Sequence, residues 1–106
     1  MVIGGDGNDR IYGNHGNDTL LGGDGDDFIG DWSGWSLLDG GAGDDFMRAG
    51  AGNDTVLGGA GNDSMSGGDG ADLMVGGLGN DRMYSNHGKD TLIGGEGDDF
   101  LGDWAG

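Results

Sequence analysis

Residues 58–84, GGAGNDSMSGGDGADLMVGGLGNDRMY, contain Gly-Gly-x-Gly-x-Asp three times at intervals of nine residues. An ordinary hydrophobic core needs neither this much glycine nor this many acids. Counting in nines from Gly4 extends the same period over almost the whole chain. A fixed short period is the signature of a repeat architecture, so the structure must be predicted from the nine-residue unit, whose positions are numbered 1 to 9.

Three positions of the unit hardly vary along the chain. Position 4 is glycine in all twelve units from Gly7 to Gly106, and position 6 is aspartate in every complete unit except one, which has Ser36. Position 8 is apolar in all eleven complete units, from Ile11 to Leu101. One apolar residue per unit predicts a core shared along the stack, which a disordered chain does not need.

Composition narrows the function classes. The 106 residues include 30 glycines, no proline and no cysteine, which excludes collagen, proline-rich linkers, disulfide frameworks and thiolate metal sites. Twenty acids against four bases give a net charge of −16, so nucleic acid and anionic membranes would repel the chain. The apolar runs are too short for a membrane-spanning helix or a signal peptide. Composition alone suggests an acidic disordered chain, and the periodic columns argue against it.

The unit predicts an all-β solenoid. Glycines at positions 1, 2 and 4 favour a tight turn with left-handed backbone, and positions 7 to 9 alternate outward, inward and outward as a three-residue strand. Such a short strand is stable only when it stacks on copies of itself. Two units therefore form one 18-residue coil of a right-handed parallel β-roll, which has about six coils and two short-stranded parallel sheets.

We expect a single domain over residues 1–106. Its units start at residues 4, 13, 22, 31, 40, 49, 58, 67, 76, 85 and 94, and residues 103–106 form a partial unit. The unit at 31 begins DWSGWS, which we call the degenerate loop, residues 31–36. Residues 4–34 and 76–106 are identical at 23 of 31 positions, which indicates a 72-residue super-repeat and a piece cut from a longer array or an engineered one.

The units resemble the RTX, or haemolysin-type, calcium-binding nonapeptide Gly-Gly-x-Gly-x-Asp-x-apolar-x. The resemblance covers residues 4–102 apart from the degenerate unit. It implies that each Ca²⁺ lies between one loop and the loop a full coil later. The ligands would be the position-6 aspartates of both loops and backbone carbonyls of the glycine turns. It also implies a secreted bacterial parent protein, exported unfolded, that folds when it binds calcium.

Alternate loops fall on two edges of such a roll. The first edge matches the motif in all six loops and gives up to five interloop sites. Its expected ligands are the carboxylates of Asp9, Asp27, Asp45, Asp63, Asp81 and Asp99 and the turns at Gly5, Gly7, Gly23, Gly25, Gly41, Gly43, Gly59, Gly61, Gly77, Gly79, Gly95 and Gly97.

The second edge contains the degenerate loop. Its candidate ligands are Asp18, Asp54, Asp72 and Asp90, with the turns at Gly50, Gly52, Gly68 and Gly70. Because Ser36 replaces the aspartate and Asp31 and Trp32 replace the turn glycines, we expect the sites on both sides of that loop to be lost. At most two sites remain, so the chain is predicted to bind five to seven Ca²⁺.

The charge and the ligand types agree with calcium. Five to seven Ca²⁺ add +10 to +14 and reduce the net charge from −16 to between −6 and −2. Mg²⁺ requires tighter octahedral geometry, and transition metals favour thiolate or imidazole, whereas this chain has no cysteine and two histidines. We expect no enzyme, because the sequence shows no Ser-His-Asp set and no HExxH motif.

A structural or adhesive array is the alternative function. Trp32, Trp35 and Trp104 all lie in the units that begin DW, where they either pack over the edge or form a platform for a glycan, a surface or a protein partner. Uncapped coils at both ends would expose strand edges, so end-to-end association with copies of the chain is also possible.

Overall fold

The computed structural model describes residues 1–102; Trp104 and the partial unit 103–106 lie outside the described residues. Twelve strands follow one another: β1 (Val2–Asp6), β2 (Arg10–Tyr12), β3 (Thr19–Asp24), β4 (Phe28–Gly30), β5 (Leu37–Ala42), β6 (Phe46–Arg48), β7 (Thr55–Ala60), β8 (Ser64–Asp69), β9 (Leu73–Leu78), β10 (Arg82–His87), β11 (Thr91–Glu96) and β12 (Phe100–Gly102).

Odd-numbered and even-numbered strands form separate parallel sheets. One sheet has the order β1-β3-β5-β7-β9-β11 and the other has the order β12-β10-β8-β6-β4-β2. Every paired residue lies 18 positions from its partner, as Leu20 does from Leu38. The prediction of an all-β parallel solenoid with two sheets, about six coils and 18 residues per coil is confirmed.

The core is one side chain wide, because the roll is only 14 Å thick along its shortest axis. Position 8 of each unit fills it, and nine of these side chains are at most 3% exposed: Ile11, Leu20, Ile29, Leu38, Met47, Val56, Met65, Met74 and Met83. The column is more exposed at its last members, since Leu92 is half-buried and Leu101 is 49% exposed. Each coil therefore depends on the next one for burial of its core residue.

Many strands are longer than the three residues that the sequence predicts. Strands β3, β5, β7, β9 and β11 each span six residues, because the glycine turn that follows position 9 also pairs in register, as at Gly23 and Gly41. Strands β2, β4 and β6 do stop after three residues. Beyond them only single bridges join His15, Ser33 and Ala51, so the pairing shortens beside the degenerate loop.

The glycines of the turn act in two different ways. Positions 2 and 4 have positive φ, as predicted; at Gly41 φ is 91°, and a Cβ there would collide with the carbonyl oxygen of Gly23. The one described non-glycine residue with positive φ is Asn86, at 68°, also at position 2. Position 1 differs from the prediction, because Gly22 and its equivalents do not have positive φ. Glycine is needed at position 1 because a Cβ there would collide with oxygen atoms of the candidate site described below.

Candidate metal centres

The position-6 side chains form a hydrogen-bonded ladder along each edge. One carboxylate oxygen, Oδ1, accepts a hydrogen bond from the backbone N–H of the position-6 residue one coil earlier. On the first edge the N···O distance is 2.8 Å from Asp9 to Asp27 and 2.9 Å from Asp81 to Asp99. The ladder joins all six loops of that edge through Asp27, Asp45, Asp63 and Asp81. From Asp27 to Asp99, one oxygen of each carboxylate thus stabilises the stack without any ion.

The second oxygen of these carboxylates has no protein partner. Oδ2 is buried without a hydrogen bond in eight position-6 residues, which are Asp9, Asp27, Asp45, Asp54, Asp63, Asp72, Asp81 and Asp90. Asp45, Asp54 and Asp63 are each only 2% exposed. A buried anionic oxygen without a donor is costly, and a native fold compensates such an atom with a proton or a cation.

Position 1 brings a backbone oxygen to the same place. A Cβ on Gly4 would lie 2.6 Å from Asp9 Oδ2 and 2.7 Å from the carbonyl oxygen of Gly22 in the next coil. The same pair of oxygens, one carboxylate and one carbonyl, meets five glycines of the first edge: Gly4, Gly22, Gly40, Gly58 and Gly76. Carboxylate and carbonyl oxygens are the ligands that Ca²⁺ takes in proteins, and the donor set of this edge fits that ion.

Burial raises the pKa of these carboxyl groups in the metal-free fold. It takes the pKa of Asp63 from 3.8 to about 7, with further contributions from the charges of Asp45 and Asp81. The pKa values of Asp45, Asp54 and Asp72 rise to about 6 for the same primary reason. Burial also raises the pKa of Asp81. Burial therefore disfavours the carboxylate form of each group, and a positive charge nearby would favour it.

The second edge keeps its ladder through the degenerate loop. The Ser36 hydroxyl accepts the hydrogen bond from the N–H of Asp18 at 3.1 Å, and the N–H of Ser36 donates to Asp54 Oδ1 at 2.8 Å. Farther along, Asp54 and Asp72 donate in the same way to Asp72 and Asp90. The serine at residue 36 therefore removes a negative charge and the buried, unpartnered carboxylate oxygen, which we call the orphan oxygen. It leaves the coils connected.

Position 1 is not uniform on the second edge. Gly13 and Gly67 keep the glycine, whereas Asp31, Ala49 and Ser85 carry side chains there, and Ala49 and Ser85 are buried. On the first edge a Cβ at this position would crowd the two converging oxygens. We therefore expect the orphan oxygen of Asp54, in the loop that begins at Ala49, to lack the close carbonyl found on the first edge.

Position 5 forms a further hydrogen-bonded ladder, which the sequence analysis does not predict. Side-chain oxygens of Asn or Asp accept hydrogen bonds from the position-5 N–H one coil later, as Asn8 does from Asp26 at 2.8 Å. On the first edge this ladder is complete, through Asp26, Asp44, Asn62 and Asn80. The signal in the sequence is the Asn-Asp or Asp-Asp pair that ends each first-edge loop. Position 5 thus supplies cross-coil hydrogen bonds from the outer surface.

No three His, Cys, Asp or Glu side chains come together as a metal cluster within residues 1–102. An ion bound there would need backbone oxygens or water besides carboxylates, and the carboxylate and carbonyl pairs of the first edge offer such oxygens. The same residues include no helix long and apolar enough to cross a membrane.

A cleft of about 390 Å³ lies on the outer face of the even-numbered strands, beside the degenerate loop. Tyr12, Phe28, Trp32 and Arg48 are among its lining residues, and Gly30 leaves the strand face open between Tyr12 and Arg48. The rings of Tyr12 and Phe28 have centroids 5.7 Å apart. Trp32 is 71% exposed and Trp35 is 67% exposed, but only Trp32 lines the cleft.

The repeat is also found by comparison with known families. The model of the RTX calcium-binding nonapeptide repeat matches residues 1–29, 33–65 and 66–101. The matched ranges omit residues 30–32, where the degenerate loop begins. Neither a curated protein nor a solved structure matches the chain.

Proposed function

The chain belongs to the family of RTX calcium-binding nonapeptide repeats, and from this premise we propose that it is a module that folds when it binds five to seven Ca²⁺. The observation that carries the proposal is the column of buried, unpartnered Oδ2 atoms. Without metal these oxygens oppose the fold. With metal they become ligands, so the binding free energy of the ions is also folding free energy.

The first edge is proposed to bind five of the ions, one between each pair of stacked loops. The position-6 carboxylates of both loops and the carbonyls of the glycine turns would hold each ion, while Oδ1 keeps its hydrogen bond to the preceding coil. Bound Ca²⁺ supplies the positive charge that offsets the formal charge of −16. The remaining one or two ions are proposed for Asp54, Asp72 and Asp90 on the second edge.

A calcium titration followed by far-ultraviolet circular dichroism tests this function. We expect a cooperative change from coil to β signal with Ca²⁺, reversal by chelator and little response to Mg²⁺. A full β signal in chelator would contradict calcium-dependent folding, because the core and the ladders would then suffice. Isothermal titration in parallel would show whether Ca²⁺ binds at all, which separates binding from folding.

Secretion of the parent protein is part of the proposal. RTX repeats are typical of secreted bacterial proteins, and extracellular modules bind Ca²⁺ with dissociation constants of roughly 10⁻⁴ to 10⁻³ M. Sites of that strength would stay empty in the calcium-poor cytosol, so the chain would fold after export. Dissociation constants well below this range would argue against folding being delayed until export.

An adhesive array is a second candidate function, favoured by the cleft beside the degenerate loop. Its exposed aromatic rings and the Arg48 guanidinium offer stacking and hydrogen-bonding groups to a glycan or a protein surface. Binding to immobilised glycans or self-association should then survive Asp63→Asn but fail in the double variant Trp32→Ala and Trp104→Ala. Equal binding by the tryptophan variant would exclude this function for the cleft.

A further inference from the structure

The degenerate loop carries an aspartate at position 1, where every first-edge loop has glycine. Asp31 uses one carboxylate oxygen, Oδ2, to accept a hydrogen bond from the Ser36 hydroxyl. Its other oxygen, Oδ1, is buried and has no partner, which is the state of Oδ2 in the regular position-6 aspartates. The residue that replaces the missing aspartate, Ser36, thus holds Asp31 in a fixed orientation.

The orphan oxygen of Asp31 faces the preceding loop of the second edge. A Cβ on Gly13 would contact Asp31 Oδ1 and would lie 3.0 Å from Asp18 Oδ2. At the equivalent glycine of the first edge, Gly4, the two oxygens are Asp9 Oδ2 and the Gly22 carbonyl. At the degenerate loop a second carboxylate oxygen therefore stands where the regular loops place a backbone carbonyl.

Two carboxylates that converge from consecutive coils repel each other unless a cation or a proton lies with them. Asp18 Oδ2 has one hydrogen bond, from the N–H of Asn14 at 3.3 Å, and Asp31 Oδ1 has none. The four basic residues of the chain are Arg10, Arg48, Arg82 and Lys89, and no ion pair joins any of them to Asp18 or Asp31 among the described residues. The pair is therefore an uncompensated set of hard oxygen donors, which suits Ca²⁺.

We propose that Asp31 replaces the lost position-6 aspartate and, with Asp18, forms a calcium site between loop 13–18 and the degenerate loop. This inference rests on the proposed calcium-binding function. It replaces the sequence-based expectation that this site is absent. The second edge would then bind an ion at its degenerate loop through a carboxylate moved from position 6 to position 1.

Ion counting by native mass spectrometry at saturating Ca²⁺ tests the site. Asp31→Asn should bind one ion fewer than the wild-type chain. Asp39→Asn is the matched control, because it removes the same charge from the same unit at a strand position that faces away from the core. Asp39→Asn should keep the full count. An unchanged count in Asp31→Asn, or an equal loss in both variants, would overturn the site.

Terbium luminescence gives a second measurement that does not depend on counting. Trp32 and Trp35 lie in the degenerate loop, so Tb³⁺ bound beside Asp31 should be sensitised by indole excitation. In a Trp104→Phe background, which removes the remaining tryptophan, Asp31→Asn should lower the sensitised emission severalfold and Asp39→Asn should not. Equal emission from both would contradict the proposal.

A restoring variant separates loss of the site from loss of the fold. Asp31→Gly combined with Ser36→Asp returns glycine to position 1 and aspartate to position 6 of this loop. It should bind one ion more than the wild-type chain, because the site toward loop 13–18 is kept and the site toward loop 49–54 is regained. If Asp31→Asn fails to fold and the restoring variant folds with this count, the site is supported. If the restoring variant binds two ions more than wild type, both sites beside the wild-type loop were vacant and the proposal is wrong. A wild-type chain that binds no Ca²⁺ would instead refute the proposed function itself.

Discussion

The first and second edges of the roll are built from the same nine-residue unit and differ in their side chains, among them those at positions 1, 5 and 6. The first edge repeats glycine, an Asn or Asp acceptor, and aspartate in each of its loops, whereas the second edge departs from this set in several loops. Yet the position-6 ladder is continuous on both, because Ser36 supplies the single acceptor oxygen that stacking requires. Stacking needs one oxygen per loop and leaves the other available to an ion, so the fold tolerates changes that would alter metal loading.

The largest effect is expected from a methyl group in the middle of the first edge. Gly41→Ala places a Cβ against the backbone carbonyl of Gly23 and should lower the unfolding free energy of the calcium-loaded chain by about 3 kcal/mol or more. Gly5→Ala is the matched control, since Gly5 has a similar φ of 95° but no atom near its Cβ position. It should cost only about 1–2 kcal/mol. Chemical denaturation at saturating Ca²⁺ measures both, and equal losses would show that backbone strain rather than stacking is responsible.

The next effect concerns the ions of the first edge. Asp63→Asn removes a carboxylate shared by the sites on both sides of its loop and should reduce the bound Ca²⁺ by two. Asp44→Asn, at position 5, is the control, because an amide oxygen can still accept the hydrogen bond from Asn62 at 2.8 Å. Native mass spectrometry distinguishes them. Loss of only one ion from Asp63→Asn would mean that each aspartate serves a single site.

Acidification should stabilise the metal-free chain. The pKa of Asp63 is about 7 in the fold against an ordinary 3.8, so the folded state binds more protons than the unfolded state between these values. The stabilisation is complete below about pH 4 and is lost as the pH rises through about 7. Circular dichroism of metal-free protein from pH 3.5 to 8 measures it. Asp63→Asn should reduce the change of stability near pH 7 more than Asp72→Asn does, because the pKa of Asp72 is about 6.

The converse applies when Ca²⁺ is present, because protons and calcium compete for the same oxygens. Apparent calcium affinity should fall as the pH is lowered from 8 to 5. A metal-free chain with its strongest β signal at pH 8 would contradict the assignment of the buried carboxyl groups as the source of instability.

The smallest effect is expected at the outer ladder. Asn62→Ala removes the acceptor for the N–H of Asn80 and should lower the unfolding free energy by about 0.5–1.5 kcal/mol. On the second edge Ala71 offers no side-chain acceptor to the position-5 residue one coil later, Lys89, so Ala71→Asn should raise stability by a similar or smaller amount. Denaturation of the two variants side by side measures the difference. A loss in both would show that position 5 does not act through this hydrogen bond.

The periodic columns were sufficient to predict the solenoid, its 18-residue coil and its core. They fail where the structure depends on atoms from different coils. The need for space at Gly22 and the extra strand residues around Gly41 both depend on what the neighbouring coil places opposite. The sequence of a single repeat does not contain that information. The recurring Asn or Asp at position 5 can be seen in the sequence, but its role as an acceptor becomes evident only from the N–H groups one coil away.

Parallel pairing at an offset of 18 residues also sets how the chain responds to tension. One coil advances the stack by about 4.8 Å, the spacing of neighbouring strands. The same 18 residues span about 60 Å when fully extended. A coil that opens therefore becomes more than ten times as long as it was in the stack, and ions that hold adjacent loops together would oppose that extension. If calcium holds the loops together as proposed, a row of such coils would be a tether whose length under load depends on the calcium concentration around it.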